Sequence, residues 1–356
     1  MNSQTPLVTV LMPVYNGSKY LGEAIRSIIN QTFTDFEFLI IDDGSTDYSQ
    51  EIIKSFDDKR IRLVENEKNL GQSATLNKGI NLAVGKYIAR MDQDDISINL
   101  RLEQQINLID GDENLGLVST GFRLINSRGE FESNPIWNKL MNSAEVELEL
   151  FLGNPIAHPS VMFRKVVVQE IGGYNETIKY HCEDYNLWHK LAESHLLAIV
   201  PEPLVYIRKH LDNATAIADK RHLNAAQMSI HRCICDKLQI ATSQKAVSIL
   251  VDSTLVDRCG SGDVRLAILL LIRIYIYVKN RHLVNTEDSL NSRVVNKLLL
   301  ISQSCLNKTP RTIIGTLAYS YLKMPSILFQ NNNFRSLIKR SIVIHLSFLF
   351  IFLIVI

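Results

Sequence analysis

The stretch Ala89-Arg-Met-Asp-Gln-Asp-Asp-Ile96 places three carboxylates, Asp92, Asp94 and Asp95, directly after a short apolar run that begins at Tyr87. An apolar run of this length predicts a buried strand. Carboxylates at the C-terminal end of such a strand would lie at the sheet edge where open α/β folds bind ligands. Because closely spaced carboxylates repel one another, the group suits a hard divalent cation. An acidic turn without a ligand is the alternative interpretation.

A second acidic strand end lies upstream, within a regular alternation of strand and helix patterns. Residues 7–12 and 36–41 are rich in β-branched and aliphatic side chains, and the second run leads straight into Asp42 and Asp43. Apolar residues at helical spacing separate the two runs. This alternation predicts βαβ units with parallel strands, whose C-terminal ends share one edge of the sheet. That edge would carry Pro13, Tyr15, Asp42, Asp43, Asp92, Asp94 and Asp95.

The glycine loops that cradle phosphates in many nucleotide-binding proteins are missing from this sequence. Neither GxxxxGK[ST] nor GxGxxG occurs, which argues against an ordinary kinase or dehydrogenase. Carboxylates and backbone groups would instead hold a base and a ribose, and a metal ion would hold a diphosphate.

The following part of the chain contains further candidates for chemistry. Glu183 and Asp184 stand in the first turn of a predicted helix, where one of them can act as a general base or both can simply favour the helix dipole. Arg208 and His210 share one side of an extended segment and can neutralise a diphosphate or lie on a solvated face. His158 lies in a proline-containing loop, with a role near the site or a purely structural one.

Composition narrows the class of protein. A chain of 356 residues accommodates two domains of ordinary size, and a formal net charge of +1 argues against a nucleic-acid partner. Five scattered cysteines suit a reducing compartment. The N-terminal residues lack the pattern of a secretory signal, so the sequence predicts a cytoplasmic protein.

The C-terminal third predicts a mainly helical region over residues 221–340 and an apolar tail over residues 341–356. Arg265 and Arg273 interrupt an apolar stretch, which favours a helix that is buried in a bundle or lies on lipid over one that spans it. The tail would be about 24 Å long as a helix, shorter than a bilayer core of about 30 Å. Lys339-Arg340 precedes it and favours the cytoplasmic surface. We expect the tail to contact the membrane; packing on the protein is the alternative.

Four blocks of the sequence together resemble the family 2 glycosyltransferases of the GT-A fold. They are Val10-Leu-Met-Pro-Val-Tyr-Asn16, Asp42-Asp-Gly-Ser-Thr-Asp47, Met91-Asp-Gln-Asp-Asp95, and Glu183-Asp184 before an aromatic helix. The resemblance covers roughly residues 5 to 210 and implies a mixed, mostly parallel sheet flanked by helices. It implies a catalytic domain over residues 1–220, with a nucleotide-binding half to about residue 110 and an acceptor half after it.

The resemblance also implies an activity. Family members of this kind transfer a sugar from a nucleotide sugar, usually a UDP-sugar, with inversion and with Mn²⁺ or Mg²⁺. Pro13, Tyr15 and Asp43 match the base-binding positions, Asp92 and Asp94 the ribose and metal motif, with Asp94 and Asp95 as joint metal candidates. Asp184 matches the catalytic base, beside Glu183. Such sequences commonly act in bacterial surface polysaccharide assembly, including O antigen, on acceptors carried by a lipid diphosphate.

Two other functions compete with this expectation. A sugar nucleotidyltransferase shares a related α/β layout but would want a glycine-rich N-terminal loop with a basic residue, which residues 13–18 lack. A non-catalytic scaffold that binds nucleotide sugars would not need the acidic residues at both strand ends together with Asp184. The expected enzyme would work on the cytoplasmic face of the bacterial inner membrane, bound peripherally or anchored by its tail.

Overall fold

A computed structural model describes residues 5–136, 141–178, 182–211, 220–239, 242–253, 259–282 and 287–304. These residues form two compact units. One runs to Val146 and continues from Asn154 to Ala225; the other comprises Glu147–Gly153 and the residues from Ala226 onward. The apolar tail at 341–356 lies outside the described residues. The domain boundaries expected from the sequence therefore stay a prediction.

The strands of the described chain are numbered β1 to β8. They are Val8–Val14, Phe36–Asp42, Ile61–Glu65, Tyr87–Arg90, Ile96–Ser97, Leu115–Ile125, Met162–Arg164 and Leu196–Arg208. The α-helices are numbered α1 to α11 in the same way. They are Ser18–Ile29, Ser49–Lys54, Gln72–Leu82, Arg101–Ile109, Ser143–Leu152, Lys165–Glu170, Glu183–Leu191, Lys220–Leu238, Gln244–Val251, Ser261–His282 and Glu287–Ser304.

All eight strands belong to one sheet with the order β3-β2-β1-β4-β7-β6-β8-β5. The first four neighbours, β3, β2, β1 and β4, are parallel. The short strand β7 is antiparallel to both β4 and β6, whereas β6 and β8 pair in parallel. This confirms the expected α/β class with a mixed, mostly parallel sheet, followed by a helical region.

The central strands read as continuous apolar runs because helices cover both faces of the sheet. Every residue of β1 except Pro13 is buried, and the last five residues of β2 are buried as well. Amphipathic helix α1 packs its buried stripe, including Leu21, Ile25 and Ile28, into the same core as β1 and β2. Packing on two faces fixes the positions at which β1, β2 and β4 end.

The register brings these strand ends together. Val14, the last residue of β1, pairs with Asp42, and Leu11 pairs with Arg90 at the end of β4. Because the three strands are parallel, the loops after Val14, Asp42 and Arg90 leave the sheet at one edge. The acidic loops at 42–47 and 91–95 therefore lie on either side of the loop that carries Tyr15.

The second unit is helical. Its buried residues come from α8, α9, α10, α11 and the C-terminal part of α5, where Glu147 is 2% exposed. The Glu147 carboxylate forms ion pairs with Arg281, at 3.1 Å, and with the His282 ring when that ring is protonated, at 2.6 Å. Among the described helices, none combines the length and apolar character needed to cross a bilayer.

The turn into β4 depends on a glycine that touches the backbone of β1. A Cβ at Gly85 would lie 2.5 Å from the Thr9 amide nitrogen and 2.6 Å from the Val8 carbonyl carbon. We expect Gly85→Ala to lower the free energy of unfolding by about 1–3 kcal/mol, because strand backbone has to move. Chemical denaturation would measure this change. The control Gly22→Ala, on helix α1 with room for a methyl group, should be neutral or stabilise by up to about 1 kcal/mol; equal effects at both positions would contradict the argument.

Candidate active site

The loop after β4 concentrates negative charge in a small volume. Carboxylate oxygens of Asp92, Asp94 and Asp95 all lie within 4.8 Å of one another. Burial, Asp94 and Asp92 raise the pKa of Asp95 well above its usual range. Burial also raises the pKa of Asp92, although Arg90 opposes the shift. A divalent cation would relieve this crowding, and the all-oxygen donor set fits Mg²⁺ or Mn²⁺.

Buried arginines hold the acidic loop from within the fold. Arg90, 1% exposed, forms an ion pair with Asp92. Arg208, 2% exposed, donates from its backbone N–H to Asp95 Oδ1 at 2.8 Å and from Nε to the Asp94 carbonyl oxygen at 2.9 Å. Its Nη2 donates to Glu23 on α1 at 2.5 Å. These contacts hold the Arg208 guanidinium against the acidic loop and α1, and its role beside a diphosphate stays a prediction.

His210 reaches the acidic loop from the end of the same segment. Its Nε2 lies 2.9 Å from Asp94 Oδ2, and its ring packs 4.9 Å from the ring of Tyr20. This places a nitrogen ligand beside one of the two carboxylates that were predicted to hold a metal. His210 is thus a candidate ligand at this site, in addition to its predicted role near a diphosphate.

The base-binding candidates lie at the ends of β1 and β2. Tyr15 is 44% exposed, and Pro13 is half-buried. Asp43 is 4% exposed, and its carboxylate accepts hydrogen bonds from the backbone N–H groups of Leu70 and Gly71 and from the Asn66 side chain. Two of these donors reach Oδ1 and one reaches Oδ2, so the carboxylate is held in place while Oδ2 can still accept a hydrogen bond from a nucleobase.

Glu183 and Asp184 begin helix α7, as the sequence predicts. Asp184 Oδ2 accepts a hydrogen bond from Asn154 Nδ2 at 2.9 Å, and Oδ1 accepts one from the Tyr185 N–H at 2.7 Å. Burial and the neighbouring Glu183 raise the pKa of Asp184 to about 7, against the effect of these two donors. A carboxyl group with a pKa near 7 exchanges a proton readily at physiological pH, as a general base must.

His158 lies between this helix and the acidic loop. Its Nε2 is 2.8 Å from the Tyr174 hydroxyl, and its ring packs edge-on against Trp188 at 5.8 Å. Burial, with a smaller contribution from Arg90, lowers the pKa of His158 well below its usual value. The imidazole is therefore neutral at pH 7. It can orient a hydroxyl group but adds no positive charge for a diphosphate.

Tyr174 lies close enough to both groups of carboxylates to interact with them electrostatically. The charges of Arg90, Asp184, Glu183 and Asp92 all act on its buried hydroxyl. The predicted base, Asp184, and the acidic loop are 89 or more positions apart in sequence, yet both lie within electrostatic reach of this side chain. This agrees with one site that joins a donor side and an acceptor side, although the individual roles remain predictions.

Sequence reasoning did not find several residues that shape this site. Arg90 pairs with Asp92, Asn154 contacts Asp184, and Gln93 hydrogen-bonds the backbone of Tyr15. Each stands within or next to a stretch that was already singled out. Nothing in local spacing, however, indicates which distant group it contacts.

The fold resembles that of a protein of known structure. The crystal structure of residues 1–349 of TarS from S. aureus, in complex with UDP-GlcNAc, aligns with a TM-score of 0.54 and 16% sequence identity. The alignment covers 93% of this chain and 90% of that one. At this identity the likeness establishes the fold.

Sequence comparison establishes the family. The model of glycosyl transferase family 2 matches residues 9–172. A glycosyltransferase of Methanocaldococcus jannaschii is 36% identical over 210 residues, which are 57% of this chain and 71% of the relative. The O-antigen biosynthesis glycosyltransferase WbnJ of Escherichia coli is 37% identical over 192 residues, 52% of this chain and 71% of the relative. The chain therefore belongs to glycosyl transferase family 2.

Proposed function

We propose that this protein transfers a sugar from a UDP-sugar, with inversion, to a hydroxyl group of a lipid-diphosphate-linked saccharide during bacterial surface polysaccharide synthesis. The observation that carries the proposal is the single site around Tyr174, which combines a cation-suited acidic loop with a carboxyl group whose pKa is about 7. The sugar transferred would be a hexose or an N-acetylhexosamine.

The donor side would consist of the strand ends. Tyr15 and Pro13 would line the base, Asp43 would contact its edge, and Asp92 would contact the ribose. Support for a UDP-sugar comes from the shared fold with TarS, which was solved with UDP-GlcNAc. Support for a polysaccharide product comes from the similarity to WbnJ, a glycosyltransferase of O-antigen biosynthesis.

The residues that would hold Mn²⁺ or Mg²⁺ are Asp94 and Asp95, with His210 beside Asp94. When bound, such an ion would stabilise the negative charge that builds on the leaving diphosphate. Arg90 and Arg208 would keep the carboxylates in place as the site loads and empties, because both arginines are buried and bonded to the loop.

On the acceptor side, Asp184 would take the proton from the attacking hydroxyl group. The oxygen would then attack the anomeric carbon from the face opposite the diphosphate, so that a single displacement inverts the configuration. Asn154 and the Tyr185 N–H orient the Asp184 carboxylate through its two oxygens. The neutral His158, which packs against the buried Trp188, would line the acceptor. Burial and the charge of Glu183 keep the pKa of Asp184 high.

The first test is UDP release from a panel of UDP-sugars, with Mn²⁺ or with EDTA, in the presence of a short lipid-diphosphate sugar. We expect metal-dependent release with one donor. Asp184→Asn should reduce turnover by about 10²–10⁴-fold while UDP binding persists, because a general base contributes on this order. The exposed Asp57→Asn is the matched control and should keep full turnover.

The alternatives give different outcomes in the same experiment. A scaffold would bind UDP-sugars with no turnover that Asp184→Asn could remove. A nucleotidyltransferase would release pyrophosphate from a nucleoside triphosphate and a sugar phosphate instead. If neither UDP binding nor UDP release occurs with any donor, the assignments of Asp43, Asp94 and Asp95 fail.

The pH dependence provides a second test of the base. Since Asp184 must be deprotonated to accept a proton, we expect kcat/KM to rise with pH and to level off above about pH 7. Asn154→Ala removes a hydrogen bond that stabilises the charged Asp184 carboxylate, so the midpoint of the rise in kcat/KM should shift to higher pH by about one pH unit. The exposed Asn107→Ala should leave the profile unchanged. An unshifted midpoint in Asn154→Ala would exclude Asp184 as the titrating group.

We propose further that the helical unit contacts the membrane through one side of α10. On this side Arg265, Arg273 and Ile276 are exposed, and Leu266 and Leu269 are half-buried. At 100° per residue these five positions fall on one stripe, and the opposite side of the helix is buried. Within the described residues neither arginine forms an ion pair. A stripe that mixes basic and aliphatic residues without acidic ones suits an anionic lipid surface.

Sedimentation with lipid vesicles tests this contact. We expect the full chain to bind phosphatidylglycerol vesicles more tightly than neutral phosphatidylcholine vesicles. The double variant Arg265→Glu/Arg273→Glu should weaken binding at least roughly thirtyfold, since each arginine near an anionic surface contributes about 1 kcal/mol. Arg232→Glu, an exposed arginine on α8, is the control. Equal binding by the double variant and the unmodified chain would show that α10 does not make the contact.

A further inference from the structure

Gln93, the residue between Asp92 and Asp94, makes two hydrogen bonds to one residue of a different loop. Its Oε1 accepts from the Tyr15 N–H at 2.8 Å, and its Nε2 donates to the Tyr15 carbonyl oxygen at 3.1 Å. An amide side chain satisfies both backbone groups of a residue in this way only when the two approach in register. The contact links the loop after β1 to the acidic loop after β4, 78 positions apart.

The other side of the Tyr15 loop is bound to the loop after β2. The Asn16 N–H donates to Ser45 Oγ at 3.0 Å, and Asn16 Oδ1 accepts from the Thr46 N–H at 2.8 Å. The Gly17 N–H donates to Ser49 Oγ at 3.0 Å. The loop therefore lies between two others, and Gln93 supplies its side-chain link to the acidic loop.

The local backbone accommodates this link. Asn16 has a φ of 47°, in the left-handed region that asparagine tolerates better than most residues. A Cβ at Gly17 would lie 2.4 Å from Gln93 Oε1, so that a glycine is needed for the amide to reach Tyr15. The left-handed backbone of Asn16 and the absence of a side chain at Gly17 thus both accommodate the hydrogen bonds between Gln93 and Tyr15.

The contact also limits what Tyr15 can offer a ligand. Gln93 occupies the N–H and the carbonyl oxygen of Tyr15, whereas Tyr15 as a whole is 44% exposed. Tyr15 would therefore present a ring face to a nucleobase rather than backbone hydrogen bonds. A ring face binds every base, so its placement matters more than its chemistry.

We infer that Gln93 is a positioning residue that holds the Tyr15 ring in place for the donor base from within the metal-binding loop. This inference rests on the proposed function, since it assumes that Tyr15 lines a nucleotide. In this role Gln93 acts through Tyr15 and not by its own contact with the base or the reacting atoms. Its role is to restrict the Tyr15 loop before the nucleotide binds, so that the loop loses less conformational entropy on binding.

The experiment compares UDP binding, Mn²⁺ binding and turnover in three variants of the full chain. Gln93→Ala removes both hydrogen bonds. Gln93→Glu keeps the size and the acceptor but places a carboxylate against the Tyr15 carbonyl oxygen. Gly17→Ala leaves Gln93 present but displaces its amide. Gln104→Ala, whose side chain makes no hydrogen bond within the described residues, is the matched control.

We expect Gln93→Ala and Gln93→Glu to raise the Kd for UDP, measured by calorimetry with Mn²⁺, about tenfold, and the KM for the sugar donor by a similar factor. Gly17→Ala should act in the same direction. In Gln93→Ala and Gly17→Ala, the Kd for Mn²⁺ without nucleotide, measured by electron paramagnetic resonance, and kcat at saturating donor should change less than about twofold, whereas the carboxylate added by Gln93→Glu acts on the cation directly. A higher Kd for UDP with unchanged Mn²⁺ binding and kcat would indicate that Gln93 positions the base. A general loss of structure would weaken Mn²⁺ binding and lower kcat as well.

Each result is decisive. UDP binding that is unchanged in Gln93→Ala, or weakened equally with Mn²⁺ binding and kcat, overturns the inference and leaves the proposed function standing. If the unmodified chain binds Mn²⁺ but no UDP, the proposed function itself fails, and the inference fails with it.

Discussion

The arrangement of this protein depends on keeping three carboxylates together at the end of one buried strand. Like charges this close destabilise a fold unless positive charge or a cation balances them. The protein provides part of that balance from inside, because Arg90 forms an ion pair with Asp92. Arg208 donates its backbone N–H to the Asp95 carboxylate and its Nε to the Asp94 carbonyl oxygen, while its guanidinium pairs with Glu23 on α1. Since a lone buried charge is costly, Asp92 and Arg90 stabilise each other.

The sheet then decides what this acidic loop can reach. Strand β4 is parallel to β1 on one side and antiparallel to β7 on the other. The parallel side supplies the loops of Tyr15 and Asp43, which suit a nucleotide. The antiparallel side brings the segments that hold Asn154, His158 and helix α7 toward the same place. The reversal of strand direction at β4 thus separates the proposed donor side from the proposed acceptor side, and the acidic loop lies between them.

The carboxylates of the site differ in chemistry because their surroundings differ. Burial and the neighbouring Glu183 raise the pKa of Asp184 to about 7, so that it can exchange a proton. Burial raises the pKa of Asp92 as well, but the adjacent guanidinium of Arg90 opposes this shift. Asp43 is held in place by three amide donors. Burial, neighbouring donors and neighbouring charges thus determine which of the proposed roles each aspartate can take.

The central strands, their helices and several site residues could be predicted from the sequence, because they depend on local pattern. Apolar periodicity identified β1, β2 and β4, the helices between them and helix α7, and it placed Asp43, Asp92, Asp94, Asp95 and Asp184 at strand ends or a helix start. Parallel pairing then required the first four of these aspartates to share one edge. Tertiary structure alone decided the partners: the link from Gln93 to Tyr15, the contact of Asn154 with Asp184, and the burial of Arg208 and His158. These contacts join segments that are 30 to 114 positions apart in sequence. Residue types and local spacing do not indicate which of these distant groups come into contact when the sheet forms.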